Sequence, residues 1–265
     1  MKVSIYIATH KPYPTLARPG FVPIQVGADL PGRVPFLPVR DNIGTNISAR
    51  NDRYCELTAI YWALHNDADS DWIGLYHYRR YLWPNAGKLA FVSRHLTSHL
   101  PVVDSAAVEE IAGRGTGMIV PEAGVFPMSV REQYAGSHRV EDLDLAVSLI
   151  VGRDPRWRPF CERFLGGRSF RQYNMFVMRR DAFTECWRLL LEILREVEEN
   201  IDFAKYPDAQ QSRVIGFLSE RLFSIWTDRF GTRFGAVERP VLSPETDPTV
   251  VSRVCGKALR MFRGM

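Results

Sequence analysis

Short apolar segments rich in β-branched and aromatic residues alternate along this chain with longer segments whose apolar residues follow helical spacing. The β-rich segments cover residues 2–9, 21–26, 71–76, 117–120 and 172–178. Helices are expected at 51–66, 105–112, 129–138, 140–151, 181–199 and 208–229, with a further helical stretch around 89–100. Residues 155–171 show neither pattern and are expected to be irregular. This alternation predicts an α/β fold with a mainly parallel, Rossmann-type sheet, helices on both faces and a helical C-terminal part.

A parallel sheet also predicts where a ligand binds. In open α/β sheets, ligands lie at the edge formed by the carboxyl ends of the strands. The segment after the first strand, residues 12–46, is rich in Pro and Gly and is expected to be largely loop. Long loops within a compact domain are usually functional, so this segment is expected to border the ligand.

Composition excludes several classes of protein. Of 265 residues, 46% are hydrophobic, which is enough apolar material for a folded core. No apolar run reaches the roughly 18 residues of a membrane-spanning helix. The first residues show no secretory cleavage site, so a cytoplasmic protein is expected. The cysteines are far apart and are expected to be free thiols; they are Cys55, Cys161, Cys186 and Cys255.

The basic residues are mostly arginine. Of 34 basic residues only five are lysine, while the formal net charge is +4. This small excess and the absence of a basic stripe argue against a nucleic-acid partner. A GC-rich genome would explain this arginine bias as well as a functional need for arginine, whose guanidinium group can make two parallel hydrogen bonds to a phosphate or carboxylate.

The segment His77-Tyr78-Arg79-Arg80 follows directly after the predicted strand at 71–76. Two adjacent arginines at the end of a buried strand require an anionic partner, because burying unpaired charge is costly. A diphosphate fits this requirement, since guanidinium groups donate in pairs to phosphate oxygens. The alternative is that both arginines pair with acidic residues within the fold.

Polar residues from three other segments are expected at the same edge. Thr9, His10 and Lys11 follow the first strand, and Gln25 and Gly27 end the second. The small polar residues of segment 41–48 then lead into the first helix, whose N-terminus could offer free N–H groups to a phosphate. The candidates in this last segment are Asn46, Ser48 and Asn51.

Several stretches of the chain resemble a bacterial capsular and exopolysaccharide glycosyltransferase family long catalogued as a domain of unknown function. They are VPIQVGA, DNIGTNISARNDRYCELTAIYWALHN, DWIGLYHYRRYL, REQYAGSHRVEDLDL, YNMFVMRRDAF and RVIGFLSERLFSIW. The resemblance implies a GT-A-like domain over residues 1–235 that transfers a sugar from a UDP donor, with galactofuranose transferred by some members. Residues 236–265 would then be a C-terminal extension with a basic amphipathic tail.

Enzymes of the GT-A type usually hold a divalent metal on an Asp-X-Asp pair after a strand, where it neutralises the departing diphosphate. This chain has His77-Tyr78-Arg79-Arg80 at that position. Asp69 and Asp71 do form an Asp-X-Asp string, but they precede the strand and are expected to form a turn. We therefore expect guanidinium groups to replace the metal and no metal cofactor to be required.

A transferase also needs a base for the acceptor hydroxyl. By comparison with the late helix of GT-A enzymes, Glu220 is the first candidate, and Arg221 beside it is a candidate donor ligand. An internal Glu220–Arg221 ion pair is the structural alternative. Asp142 is the competing base, since helical i, i+4 spacing would place it on one face with His138. His138 and Asn174 are the candidate acceptor ligands, because both side chains can bind sugar hydroxyls.

The tail at 250–263 interleaves apolar residues with Arg253, Lys257, Arg260 and Arg263. This pattern suits a basic amphipathic helix on the inner face of the membrane, or a terminal helix docked on the domain. A membrane contact would suit a lipid-linked saccharide as acceptor. The competing function is a non-catalytic nucleotide-sugar-binding module of a polysaccharide assembly complex.

Overall fold

The computed structural model describes residues 1–84, 101–206 and 208–243. The strands are β1 Val3–Thr9, β2 Phe21–Gln25, β3 Trp72–His77, β4 Tyr81–Leu82, β5 Met118–Pro121, β6 Gly124–Val125, β7 Ser169–Phe170, β8 Phe176–Arg179, β9 Ala236–Arg239 and β10 Val241–Leu242. The helices are α1 Asn51–Tyr54, α2 Leu57–Asn66, α3 Ser105–Ala112, α4 Val130–Ala135, α5 Val140–Arg153, α6 Arg158–Gly166, α7 Arg180–Asn200 and α8 Val214–Phe230.

Six of these strands form one central sheet in the order β2-β1-β3-β8-β5-β9. β1 pairs in parallel with β2 and β3, and β5 pairs in parallel with β9. β8 runs antiparallel to both of its neighbours. The start of β8 therefore lies at the same edge as the carboxyl ends of β1, β3 and β5. The mixed α/β architecture with a mainly parallel sheet confirms the predicted fold class.

The sheet is buried on both faces. All seven residues of β1 are buried, and its apolar residues divide between two apolar clusters. Tyr6 and Ala8 face the larger cluster, which contains residues from α1, α2 and α4 to α8. Ile5 and Ile7 face a smaller cluster that includes residues of α3, β4 and β10. This division follows from the alternation of side chains along a strand.

The two longest helices fill the centre of the larger cluster. α7 presents Trp187 to Phe223 of α8, with ring centroids 5.5 Å apart in a stacked arrangement. Phe176 at the start of β8 lies 5.3 Å from Trp187 and 5.9 Å from Phe223. This aromatic cluster fixes the first residue of β8 against both helices.

Three element predictions were wrong. The helix expected at 51–66 is divided at Cys55, whose positive φ of 52° interrupts the helical backbone. The strand expected at 172–178 begins only at Phe176, because Tyr173 and Asn174 adopt left-handed backbone conformations. Residues 155–171 are not irregular, since they form a 3-10 turn, α6 and β7.

The first residues after 235 belong to the same sheet, since β9 pairs with β5 along its whole length. Within the described ranges, no helix is long and apolar enough to cross a membrane. The helical stretch expected around 89–100, the basic tail at 250–263 and Cys255 lie outside the described residues. Cys55, Cys161 and Cys186 are free thiols, as predicted.

Candidate active site

The arginine motif forms a tight turn at the carboxyl end of β3. The carbonyl of His77 accepts a hydrogen bond from the backbone N–H of Arg80 at 3.0 Å, and Tyr78 N–H donates to the carbonyl of Ala8 at the end of β1. Arg79 lies over the ring of Tyr78, 4.9 Å from its centre. The turn therefore presents both guanidinium groups at the edge where the sequence predicted a ligand.

The guanidinium group of Arg80 lies against an aromatic ring. Its guanidinium carbon lies 4.2 Å from the centre of the Tyr173 ring. Arg80 makes no ion pair with any residue in the described part of the chain. A cation over an aromatic ring keeps its full charge, so Arg80 is available to an anion.

Further cations converge on the same edge. The pKa of His10 is lowered by burial and then by the charges of Arg33, Lys11, Arg79 and Arg213. Arg33 also donates to the carbonyl oxygen of His10 at 2.9 Å. So many positive charges beside one another repel, and a bound anion would relieve that repulsion.

Two carboxylates lie close to this cationic edge. Oε1 of Glu220 on α8 accepts from the backbone N–H of Tyr173 at 2.7 Å, and its Oε2 accepts from Arg221 at 3.0 Å. Burial raises the pKa of Glu220 to about 7; Arg221 and the Tyr173 N–H oppose this rise, and the charge of Glu56 adds to it. Glu220 is thus poised to exchange a proton near neutral pH.

The second carboxylate, Glu56, lies in the break between α1 and α2. Its Oε1 accepts a hydrogen bond from Nδ2 of Asn174 at 2.8 Å and lies 4.0 Å from Nε2 of His77. Nε2 of His77 also lies 2.6 Å from the carbonyl oxygen of Tyr173. Because a carbonyl can only accept, this nitrogen carries the proton. Burial lowers the pKa of His77 against the influence of Glu56, so its imidazole is neutral at pH 7.

Unusual backbone conformations concentrate at this point. Among the described residues, the non-glycine residues with positive φ are Cys55, Tyr173 and Asn174. Cys55 precedes Glu56, while Asn174 binds Glu56 and Tyr173 contacts Glu220, His77 and Arg80. Left-handed conformations cost about 1–3 kcal/mol each and are often retained at functional sites.

The predicted polar loop shapes the edge through internal hydrogen bonds. Asp41 is fully buried, and its carboxylate accepts from the backbone N–H groups of Gly27 and Ala28 at 2.8 and 3.1 Å. Ser48 donates to Asp41 at 2.5 Å and accepts from Asp29 N–H at 3.1 Å. These contacts hold the turn after β2 against the start of α1.

The profile of a family described as "Domain of unknown function (DUF4422)" matches residues 4–231. This chain belongs to the DUF4422 family. No curated protein matches it.

Among solved structures, the DUF4422 chain is similar to one described as the apo structure of the WbbM bifunctional glycosyltransferase, with a TM-score of 0.75 and 26% sequence identity. The match covers 91% of this chain and 45% of the WbbM chain, so this chain spans less than half the length of that protein. The family and this likeness together support the coarse resemblance drawn from the sequence, a glycosyltransferase-like protein.

Several predicted donor ligands of the DUF4422 chain have their side chains occupied internally. The Gln25 amide donates to Val34 and accepts from Phe36, and Asn51 donates to Cys55 and Thr58. Further examples are Thr9, Asn46 and Ser48, which bond to neighbouring loop atoms, and Tyr78, which is buried beneath its turn. These residues shape the edge, whereas His10, Lys11, Arg79 and Arg80 present polar groups to it.

Arg221 lies behind the carboxylates. It is 2% exposed and lies over the ring of Phe170 while donating to Glu220, Gln133 and the carbonyl of Phe217. The alternative of an internal Glu220–Arg221 ion pair is therefore present. Arg221 is placed to act on a ligand only through its influence on Glu220.

The predicted pairing of His138 with Asp142 is wrong. His138 lies in the turn before α5, whose N-cap is Arg139, so the two residues do not share a helical face. His138 contacts Gln211 and stacks on Phe217, while Asp142 is 5% exposed and accepts from Tyr206 at 2.7 Å. Oδ2 of Asp142 is therefore bound to Tyr206, and no hydrogen bond joins Asp142 to His138 among the described residues.

The amide of Asn174 is likewise not offered to a sugar. The residue is 1% exposed, and its amide contacts Glu56, Gly216 and Ser219. In this structure the amide holds Glu56, and a contact of Asn174 with an acceptor stays a prediction.

The Asp-X-Asp string lies before β3, as predicted, and therefore at the edge of the sheet opposite the arginine turn. Asp69 pairs with the Lys2 side chain at 3.3 Å, and Asp71 accepts from the Lys2 backbone N–H at 2.7 Å. Both residues precede β3. In the described ranges, no group of three or more His, Cys, Asp or Glu side chains is arranged to hold a metal ion.

Four residues of this site are not predicted from the sequence, namely Glu56, Tyr173, Arg33 and Arg213. Arg213 donates to Sγ of Cys55 at 3.0 Å and precedes α8. Three of the four stand in sequence that does not differ from ordinary surface sequence. Glu56 directly follows the cysteine of the NDRYCELT stretch, and this was the one local sign of it, in a segment where a continuous helix was expected.

Proposed function

We propose that this protein is a glycosyltransferase that moves a sugar from a UDP-sugar to a saccharide acceptor. The observation that carries the proposal is the cluster of cations at the carboxyl edge: Lys11 and Arg79 lie over the ring of Tyr78, and Arg33 donates to the carbonyl oxygen of His10. Arg80 in the same turn makes no ion pair with the described residues. A diphosphate is the ligand chemistry that this arrangement suits. The likeness to a bifunctional glycosyltransferase supports the same activity.

The proposed reaction uses two groups of residues. The bond between the sugar C1 and the β-phosphate oxygen breaks, and its electron pair leaves on UDP. Arg79 and Arg80 stabilise the charge that develops on this oxygen, in place of a divalent metal. The acceptor oxygen bonds to C1, and its proton passes to the carboxylate of Glu220, whose pKa of about 7 suits a base at neutral pH.

The finer parts of the proposal come from the sequence resemblance. The donor sugar is galactofuranose or galactose, and the acceptor is a growing bacterial surface polysaccharide or its lipid-linked precursor. The basic residues at 253, 257, 260 and 263 would hold the protein at an anionic inner membrane.

The test is a screen of UDP, UDP-galactofuranose, UDP-galactose and UDP-glucose by thermal shift, followed by UDP release, each with and without EDTA. Ligands that bind the native state raise its melting temperature. We expect UDP and at least one UDP-sugar to stabilise the protein, and UDP release to persist in EDTA.

Three other results of this screen would contradict different parts of the proposal. Loss of UDP release in EDTA with recovery in Mn²⁺ would contradict the guanidinium role. Binding of UDP-sugars with no release to water or to saccharide acceptors would favour the non-catalytic nucleotide-sugar-binding module. Absence of any UDP-dependent stabilisation would refute the proposed donor class.

A further inference from the structure

The carboxylate of Glu56 has one oxygen committed to the protein and one that is not. Oε1 accepts from Asn174, while Oε2 makes no hydrogen bond with the described residues. The side chain is 12% exposed, so it is not fully closed off from a ligand. Neither the sequence motifs described above nor the likeness to the glycosyltransferase structure assigns a role to Glu56.

Asn174, which binds Glu56, is itself held by further hydrogen bonds. Ser219 donates to Oδ1 of Asn174 at 2.7 Å, and Nδ2 of Asn174 donates to Glu56 at 2.8 Å and to the carbonyl of Gly216 at 3.3 Å. Because a carboxylate only accepts, these contacts fix which way the amide faces. Glu56 is therefore held rigidly from one side.

Glu198, a buried carboxylate whose partners lie in and just before α1, makes a different set of contacts. Glu198 of α7 accepts from Arg53 through Oε1 and from Arg50 and Tyr54 through Oε2. Both of its oxygens are thus occupied by the protein. Glu56 has no cation within hydrogen-bond distance among the described residues, although its side chain is nearly as well buried.

We propose that Glu56 contacts the substrate directly, with Oε2 accepting a hydrogen bond from a ring hydroxyl of the donor sugar. This inference rests on the proposed function. Glu56 lies beside His77, the first residue of the turn that carries Arg79 and Arg80. A sugar joined to a diphosphate on that turn lies next to this carboxylate, and charged acceptors form the stronger hydrogen bonds to hydroxyl groups.

The experiment compares the Kd of UDP with that of UDP-galactofuranose and UDP-galactose for the wild type, Glu56→Gln and Glu198→Gln. The ratio of sugar-nucleotide Kd to UDP Kd isolates the sugar contact. We expect this ratio to rise about tenfold or more in Glu56→Gln, as for loss of a hydrogen bond to a charged group, and to stay unchanged in Glu198→Gln.

The outcomes separate this inference from the function on which it rests. A wild type that binds neither UDP nor UDP-sugars removes the proposed function. A wild type that binds both, with an unchanged ratio in Glu56→Gln, overturns only the Glu56 contact, as does a Glu56→Gln variant altered solely in its KM for acceptor. Should Glu56→Gln fail to fold, the wild type is tested with deoxy-sugar UDP donors, and equal affinity for all of them overturns the inference.

Discussion

Tyr173 connects the groups of the candidate site to one another. Its N–H binds Glu220, its carbonyl fixes the proton on His77, and its ring lies under Arg80. Because its φ is 78°, the peptide groups on its two sides face different partners. Tyr173 therefore fixes Glu220 and Arg80 relative to each other.

The ionisation of Glu220 gives a prediction about pH. Burial raises its pKa to about 7, and a base must be ionised to accept a proton. We expect kcat/KM for UDP release to rise with pH through about 7 in the wild type. Glu220→Gln should lower kcat by about 10²–10⁴-fold and remove this pH dependence. A variant with normal turnover would show that another group takes the proton.

The charge on Arg80 gives a second prediction. Arg80→Gln should lower kcat by about 10²–10³-fold, because it removes a preorganised donor to the departing diphosphate. Arg80→Lys should be intermediate, since it keeps the charge but loses the forked geometry. The matched control is Arg114→Gln, which removes an arginine from an exposed pair with Glu110 and should leave turnover unchanged. Equal rates for Arg80→Gln and the control would contradict the assignment.

The arginine turn could be predicted from the sequence, because two adjacent arginines after a buried strand form a local pattern. Glu56 and Arg213 could not, since each reaches the site only through tertiary folding, from a helix break and from the segment before α8. The pairing of His138 with Asp142 failed for a local reason, namely that α5 begins at Val140.

Among the elements, the turn after β2 depends on glycine. Gly27 has a φ of +65°, and a Cβ there would lie 2.6 Å from Oδ1 of Asn51. Gly32 has a similar φ of +75° but nothing within 4 Å. Alanine substitutions at Gly32 and Gly27 therefore distinguish the cost of the left-handed backbone alone from that cost together with a steric clash.

We expect Gly32→Ala to lower the free energy of unfolding by about 1 kcal/mol, from the left-handed conformation alone. Gly27→Ala should cost about 2 kcal/mol or more, because Asn51 must also move. Urea denaturation of both variants measures the difference. Equal losses would show that the start of α1 adjusts to the extra methyl group without cost.

The spacing of apolar residues along the sequence was sufficient to predict β1, β2, β3 and the long helices α7 and α8. It failed for α6, because residues 155–171 show neither the strand period nor the helix period. Pro159 stands in the first turn of α6, a position at which a missing N–H costs nothing. It also failed for residues 172–175, whose apolar and polar alternation suits a strand but whose backbone carries the left-handed residues.

For the whole molecule, the proposed membrane association depends on the C-terminal tail. Truncation after residue 243 removes Arg253, Lys257, Arg260 and Arg263. We expect it to weaken binding to anionic liposomes while leaving UDP release from a soluble donor intact. Replacing the same four residues by Gln should reproduce the loss, because it removes charge at constant length. Unchanged sedimentation with liposomes would refute a membrane role for the tail.

The reversed direction of β8 has a consequence for how such molecules can diversify. Because β8 enters the sheet at the ligand edge, the segment that precedes it, and not the one that follows, borders the cleft. Residues 171–175 therefore have little freedom to change, because Tyr173 and Asn174 hold the two carboxylates of the candidate site and the aromatic anchor at Phe176 fixes the register of the strand.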